Sequence, residues 1–173
     1  MQMLPSAIIT AFKSADRINY KPQFLGTWTS TDPDFFKMGK GLIRDRLVIQ
    51  FPGGLPQDKT EGTKLMNDLI KRYKTVKSFD ASYWEGVVVG MIMERAFLRA
   101  YEKSREINPE TINAAMESFR DEDFGGLIPK VTYTKEDHGA SFTARMVKVK
   151  EDGSYIPLTN FYIPGKSKIK LIK

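Results

Sequence analysis

Hydrophobic residues recur at the spacing of an α-helix in several stretches of the chain. Residues 5–17 carry apolar side chains at i, i+3, i+4 and i+7 counted from Ile8, which places them on one side of a helix. The same periodicity predicts helices over 60–74, 82–103 and 109–120. The first half of the 82–103 segment is apolar on every side, so we expect more than one neighbour to bury it.

Capping residues mark where three of the predicted helices begin. Asp32 precedes Pro33, and Asn108 precedes Pro109. Each pair combines a favoured N-cap residue with a proline in the first turn, and the first pair predicts an additional short helix. Ser82 opens a Ser-x-x-Glu sequence, which predicts a capping box at the start of the long helix.

Short apolar runs predict the strands. The runs at 23–26 and 47–51 are continuous rather than alternating, which is typical of buried strands. Beyond residue 126 the hydrophobic period changes to two and predicts strands over 131–134 and 142–146, while Asp-Gly at 152–153 predicts a hairpin turn. Helices that alternate with strands, followed by an antiparallel ending, predict an α/β fold with a C-terminal β-hairpin annex.

The composition is that of an ordinary globular chain. Its 173 residues are about the size of one domain, with 41% hydrophobic and 28% charged residues. No run approaches the roughly 20 apolar residues that cross a bilayer. The first residues also lack a basic segment followed by an apolar one, so we expect no secretory signal peptide in this chain.

The net charge of +6 is concentrated at the C-terminal end. The basic tail, residues 161–173, holds Lys166, Lys168, Lys170 and Lys173 and no acid, so the remainder of the chain carries +2. A nearly neutral body disfavours nucleic acid as a partner. We interpret the tail as a solvated end.

The candidate chemistry points away from catalysis. The absence of cysteine excludes disulfides, cysteine-ligated zinc and a cysteine nucleophile. The single histidine, His138, lies in a polar sequence between predicted strands, and we interpret it as a turn residue. Motifs for phosphate loops, serine hydrolases and zinc proteases are missing. The sequence therefore predicts a protein that is not an enzyme and has no cofactor or metal.

One segment favours recognition of a small molecule. Residues 27–31 read Thr-Trp-Thr-Ser-Thr and directly follow the strand predicted at 23–26. Ligands of open α/β sheets lie beyond the C-terminal ends of the strands. Trp28 offers a flat apolar surface there, and Thr29 offers a hydroxyl group. The alternative is an ordinary loop with a packed tryptophan.

A second candidate segment lies at the start of the long helix. Phe79, Ser82 and Tyr83 cluster where free backbone amides favour a carboxylate or phosphate. The alternative is that Trp84 belongs to the core and that Ser82 only caps the helix.

Several of these phrases, in their order and spacing, resemble one family. Up to about residue 162, the chain resembles the C-terminal half of type I periplasmic substrate-binding proteins of the leucine/isoleucine/valine-binding class. The phrases that carry the resemblance are the helix at 7–15 with Lys-Pro-Gln-Phe-Leu-Gly at 21–26, the strand at 47–51 with Pro-Gly-Gly at 52–54, Tyr-Trp-Glu-Gly at 83–86, Gly-Gly-Leu-Ile-Pro at 125–129, Asp-His-Gly at 137–139, and 147–149 followed by Asp-Gly at 152–153.

The resemblance implies a fold and a division of the chain. These proteins have two Rossmann-like lobes that close like a hinge around a ligand. Residues 1–56 would belong to the second lobe, the helices of 57–128 would pack on the first lobe, and the strands of 129–160 would cross back, leaving 161–173 as the basic tail.

The resemblance also implies a function and a site. Such proteins carry amino acids and related solutes to the permease of an ABC importer, outside the cytoplasm. By position, Trp28 and Thr29 match the ligand-contacting loop of the second lobe. Phe79, Ser82 and Tyr83 match contacts from the first lobe. A sensing or regulatory domain of the same fold, without a transport role, is the alternative.

The chain departs from the family in length. A complete member is about twice as long, and the first βαβ series, which binds the α-carboxylate and α-amine of an amino acid, has no counterpart here. We therefore expect a fragment that binds a solute poorly by itself. Helix faces that would pack on the absent portion predict a homodimer through exposed apolar surface.

Overall fold

The computed structural model describes residues 5–74, 76–77, 79–139 and 143–163, and only the backbone of Ser30. In chain order, the elements are α1 (Pro5–Arg17), β1 (Phe24–Thr27), a 3-10 turn (Trp28–Ser30), α2 (Pro33–Met38), β2 (Leu47–Phe51), a second 3-10 turn (Pro56–Asp58), α3 (Glu61–Tyr73), α4 (Ala81–Ser104), α5 (Pro109–Met116), β3 (Arg145–Val149) and β4 (Tyr155–Pro157). This alternation confirms the predicted α/β class.

The chain divides into two compact units. The sheet unit comprises Met1–Pro52, Asp80–Ser82 and Thr143–Lys173. The helical unit comprises Gly53–Phe79 and Tyr83–Phe142. All four strands described above belong to the sheet unit, and α3, α5 and nearly all of α4 belong to the helical unit.

The sheet has the strand order β1-β2-β3-β4. β1 runs parallel to β2, with Gly26 opposite Ile49. β3 is antiparallel to β2, with Val147 opposite Ile49, and β4 is antiparallel to β3. The predicted antiparallel C-terminal hairpin is thus formed by β3 and β4, and β3 joins it to the same sheet.

Of the two strands that were predicted to be buried, β2 is buried and β1 is partly exposed. β2 has neighbours on both sides, and Leu47, Ile49 and Phe51 are fully buried, as a continuous apolar run predicts. The prediction of a buried β1 was wrong. In the described sheet β1 is paired on one side only, and Leu25 is 56% exposed.

Local sequence signals place the helices of the sheet unit. α1 buries its apolar stripe, and the ring of Phe12 lies 4.3 Å from that of Phe24 on β1. α2 begins as predicted after Asp32, because the Phe35 amide donates to the Asp32 carboxylate at 2.7 Å and Pro33 occupies the first turn.

The C-terminal strands differ from their prediction in position and phase. Asp-Gly at 152–153 forms the expected hairpin turn, with Gly153 at a φ of 84°. Residues 131–134 form no strand, only a bridge between Glu122 and Val131. The buried side of β3 holds Arg145, Val147 and Val149 instead of Met146, which is half-buried. Phe142, at the start of the predicted strand, lies outside the described residues.

Trp84 packs in the interior of the helical unit. It is buried, and its indole Nε1 donates to the Leu127 carbonyl at 3.3 Å. The ring lies directly against Gly53, where a Cβ atom would fall 2.1 Å from Trp84 Cζ2. The alternative assignment of Trp84 to the core is therefore confirmed.

Helix α4 corrects two predictions. It begins at Ala81, so Ser82, where the N-cap was predicted, is instead the second residue of the helix. The apolar first half is also not buried on several sides. Val89 is 53% exposed, and Cβ atoms added at Gly86 and Gly90 would meet no atom within 4 Å.

The other helices of this unit follow their caps more closely. α3 lies between its N-cap Thr60 and its C-cap Lys74, as the 60–74 pattern predicts. α5 starts after its N-cap Asn108 but ends at Met116, four residues earlier than expected. The amides of Ser118 and Phe119 bond to the third preceding carbonyl, as Phe119 does to Met116 at 3.0 Å, which tightens and ends the helix. Within the described ranges, no helix is long and apolar enough to span a membrane.

Candidate functional site

A cavity of about 200 Å³ lies where β1 and β2 end in the sheet unit. Its lining comprises Thr27, Trp28, Thr29, Gln50 and Pro52. Thr27 and Gln50 are register partners in the parallel pair, so the two strand ends bring the segments together. The cavity therefore occupies the C-terminal strand edge, the place where open α/β sheets bind ligands.

The structure brings two of the predicted site residues together here. Trp28 is half-buried and Thr29 is exposed, and both line the cavity. Gln50 and Pro52 were missed, because their segment was interpreted only as a buried strand and its terminating turn. The parallel pairing of Thr27 with Gln50 was the signal that could have identified them.

The described lining residues carry no charge. Thr27 Oγ1 and Thr29 Oγ1 lie 2.9 Å apart and share a hydrogen bond. Gln50 contributes an amide group that can both donate and accept, and Trp28 contributes an apolar face. Such a set can orient a polar, uncharged group beside an apolar one.

A chain of hydrogen bonds closes the turn that carries Trp28. Thr31 donates to the Trp28 carbonyl through both its backbone amide, at 3.3 Å, and its hydroxyl, at 3.0 Å. Tyr155 on β4 in turn donates to Thr31, with Oη 3.1 Å from Oγ1. Both side chains are buried, and burial raises the pKa of Tyr155 to about 12.

The remaining predicted contacts lie around the start of α4. Ser82 is exposed, whereas Phe79 and Tyr83 are half-buried. Among the described residues, the lining of the cavity does not include these three side chains. Their assignment as ligand contacts stays a prediction.

A second cavity, of about 150 Å³, lies in the helical unit beside His138. His138 Nε2 lies 3.1 Å from Glu117 Oε1, and burial raises the pKa of the Tyr133 phenol in the same lining. His138 directly follows a turn in which Thr134 and Asp137 exchange backbone hydrogen bonds. No group of three or more metal-ligating side chains occurs in the part of the chain that the structure describes.

Comparison with known proteins gives a fold relationship without a sequence relationship. No family model matches the chain. No curated protein matches it either.

Solved structures match the fold closely at low sequence identity. A branched-chain amino acid ABC transporter protein from Thermus thermophilus, solved with bound valine, is 20% identical, with a TM-score of 0.79 over 91% of this chain. A fatty acid ABC transporter substrate-binding protein from Thermomonospora curvata is 16% identical, with a TM-score of 0.81 over 98%. A leucine-binding protein from Thermotoga maritima is 16% identical, with a TM-score of 0.71 over 94%.

The match covers less than half of each of these proteins. The chain spans 44% of the Thermus protein, 45% of the Thermomonospora protein and 43% of the Thermotoga protein. The resemblance drawn from the sequence is thereby confirmed at the level of fold. The chain has the fold of somewhat less than half of a type I substrate-binding protein of the leucine/isoleucine/valine-binding kind.

Proposed function

We propose that this chain binds a small, amino-acid-like solute, as part of a substrate-binding protein that delivers the solute to an ABC importer. The cavity at the ends of β1 and β2 is the observation that carries the proposal. Its position is the expected ligand edge of an α/β sheet, and solved structures of the same fold are substrate-binding proteins for amino acids and fatty acids. We propose no catalytic step.

The cavity suits one group of a ligand. Ligand pockets usually measure about 300–1,000 Å³, and this cavity is smaller, at about 200 Å³. The indole of Trp28 would contact an aliphatic portion, and the hydroxyl of Thr29 would bond a neutral polar atom. Among the described residues, the side chains that line the cavity are uncharged, so they suit a neutral group of the ligand.

Further contacts are proposed from the resemblance. Ser82 would offer its hydroxyl, and Phe79 and Tyr83 would offer aromatic surface. Each is tested by its own alanine substitution, independently of Trp28. A loss of solute affinity in any of them assigns that residue to the site.

The binding test uses L-valine and L-leucine as probes. NMR titration is suitable because we expect weak affinity, about millimolar, from a cavity of this size. Trp28→Ala should weaken binding about tenfold, because a half-buried indole contributes on the order of 1–2 kcal/mol. Tyr20→Ala, which removes an exposed aromatic ring from the same unit, is the matched control and should change nothing.

Two outcomes would contradict the proposal. The first is that the unsubstituted chain binds neither amino acid at high millimolar concentration. The second is that Trp28→Ala binds as tightly as the unsubstituted chain and the control Tyr20→Ala. A long-chain fatty acid is a useful third probe, since a structure of this fold is a fatty acid substrate-binding protein.

The partner and the location are also proposals. The full-length protein would act outside the cytoplasm and dock on the permease of the importer. We further propose that the chain forms a homodimer through α4, on which Val89, Leu98 and Tyr101 are about half exposed.

A further inference from the structure

We propose that Tyr155 is a positioning residue for the solute site, acting through Thr31 on the turn that carries Trp28 and Thr29. This inference rests on the proposed function, since it assigns a binding role to the C-terminal hairpin. In this inference, β4 of the hairpin supplies the hydroxyl group that bonds to Thr31, at the end of the turn that carries Trp28 and Thr29.

The turn that carries Trp28 is short. It is a single 3-10 turn, Trp28–Ser30, and its N-cap Thr27 makes no side-chain capping bond. Thr31 closes the turn from the other end, with two bonds to the Trp28 carbonyl. Short 3-10 segments have poor hydrogen-bond geometry, so the residue that closes one has a large influence on it.

The Thr31 hydroxyl is held in one orientation by Tyr155. A hydroxyl carries one donor and two acceptor sites. Since Thr31 Oγ1 donates to the Trp28 carbonyl, its lone pairs accept from Tyr155 Oη, 3.1 Å away, and Tyr155 Oη also lies 3.4 Å from the Thr31 carbonyl. Tyr155 thus donates to Thr31, and Thr31 donates to Trp28. Because both hydrogen bonds run in the same direction, each one polarises the next.

Burial makes this arrangement rigid and independent of pH near neutrality. Thr31 is 1% exposed and Tyr155 is 5% exposed, so water does not replace a lost bond. The Tyr155 ring packs edge-on against Phe36 at 6.3 Å and lies 6.2 Å from Phe51. With its pKa raised to about 12 by burial, the phenol keeps its proton and stays a donor.

Removal of the phenol oxygen should therefore loosen the turn and spare the fold. Tyr155→Phe retains the ring and its contacts with Phe36 and Phe51. It leaves the buried Thr31 oxygen without that donor. We expect solute affinity to fall about two- to tenfold, the effect of one neutral buried hydrogen bond.

The first test needs no ligand. The chain has two tryptophans, so its indole N–H groups give two NMR signals: Trp28 in the sheet unit and Trp84 in the helical unit. In Tyr155→Phe the Trp28 signal should shift or broaden while the Trp84 signal stays in place. Thr31→Val should do the same, which keeps the test decisive if Tyr155→Phe fails to fold.

A matched control separates positioning from general stability. Thr159 is also buried, and its hydroxyl accepts from the Met146 amide at 2.9 Å, between β3 and the segment after β4. Thr159→Val removes a hydrogen bond of similar kind from the same hairpin without touching Thr31. It should lower stability at least as much as Tyr155→Phe and leave the Trp28 signal and L-leucine affinity unchanged.

The outcomes distinguish this inference from the proposed function. An unchanged Trp28 signal in both Tyr155→Phe and Thr31→Val, or an equal change in Thr159→Val, overturns the positioning role of Tyr155. Failure of the intact chain to bind L-valine and L-leucine overturns the proposed function instead, and the indole comparison still decides whether Tyr155 positions the turn.

Discussion

The contact between Gly53 and Trp84 gives a prediction whose sign and size follow from the geometry. In Gly53→Ala the new methyl carbon would lie 2.1 Å from Trp84 Cζ2, 2.5 Å from Cε2 and 2.8 Å from the Leu127 carbonyl. Carbon atoms in contact prefer about 3.5–4.0 Å, so the ring must move by more than 1 Å. It is rigid, buried and hydrogen-bonded to Leu127, and therefore cannot move cheaply.

The cost is that of an overpacked core. Inserting a methyl group into a well-packed site costs about 1–3 kcal/mol. Gly86→Ala is the matched control, because the same methyl group meets open space there and glycine inside a helix is less favourable than alanine by about 1 kcal/mol. The same substitution should thus destabilise the helical unit at Gly53 and stabilise it at Gly86.

Urea denaturation followed by fluorescence measures both effects. All variants carry Trp28→Phe, so the signal reports Trp84 and the helical unit alone. The free energy of unfolding of small proteins falls by about 1–3 kcal/mol per molar urea. The urea concentration at the midpoint should therefore fall by about 1 M in Gly53→Ala and rise by a few tenths of 1 M in Gly86→Ala. Equal midpoints for the two variants, or a more stable Gly53→Ala, would refute the packing of Trp84 on Gly53.

Two further predictions concern pH and self-association. Because the pKa of Tyr155 is raised from 10.0 to about 12 in the fold, the unfolded chain loses this proton first; the stability that the neutral phenol provides is complete below pH about 10 and is lost as pH rises through about 12. Tyr155→Phe should flatten the fall in stability across that window in alkaline denaturation, and identical curves for the two proteins would show that Tyr155 does not titrate there. If α4 forms the proposed homodimer, Val89→Lys should give a monomer in analytical ultracentrifugation at tens of micromolar, whereas Glu94→Lys, an exposed charge reversal on the same helix, should stay dimeric. A monomeric intact chain would end the dimer proposal.

Local signals predicted most of the first half of the fold. The stripe from Ile8 and the Asp32 cap each act within a few residues, so α1 and α2 could be located from the sequence. The continuous apolar run of β2 likewise predicted a buried strand. In each case the residues that determine the element lie inside it.

Predictions failed where distant contacts decide. Val131 and Tyr133 alternate like a strand, but they pack against the cluster around Phe119 and gain only the bridge to Glu122. The apolar half of α4 was expected to be buried on several sides, but Val89 within it is 53% exposed.

Some residues of the candidate site could likewise be predicted from local signals, and others depend on distant contacts. Trp28 and Thr29 could be predicted, because a loop after a parallel strand is a ligand position by a general rule of α/β sheets. Gln50 enters the site only through its pairing with Thr27, and Tyr155 supports it from more than a hundred residues away. The hydrophobic pattern does not encode either relationship.

The most direct test of solute binding is a titration of the 15N-labelled chain with L-leucine, followed through its two indole signals. We predict that the Trp28 signal moves progressively and saturates, because its indole lines the cavity at the ends of β1 and β2, while the Trp84 signal stays fixed against Gly53. Both signals unmoved with L-leucine and with L-valine, or a shift confined to Trp84, would contradict solute binding at this edge of the sheet.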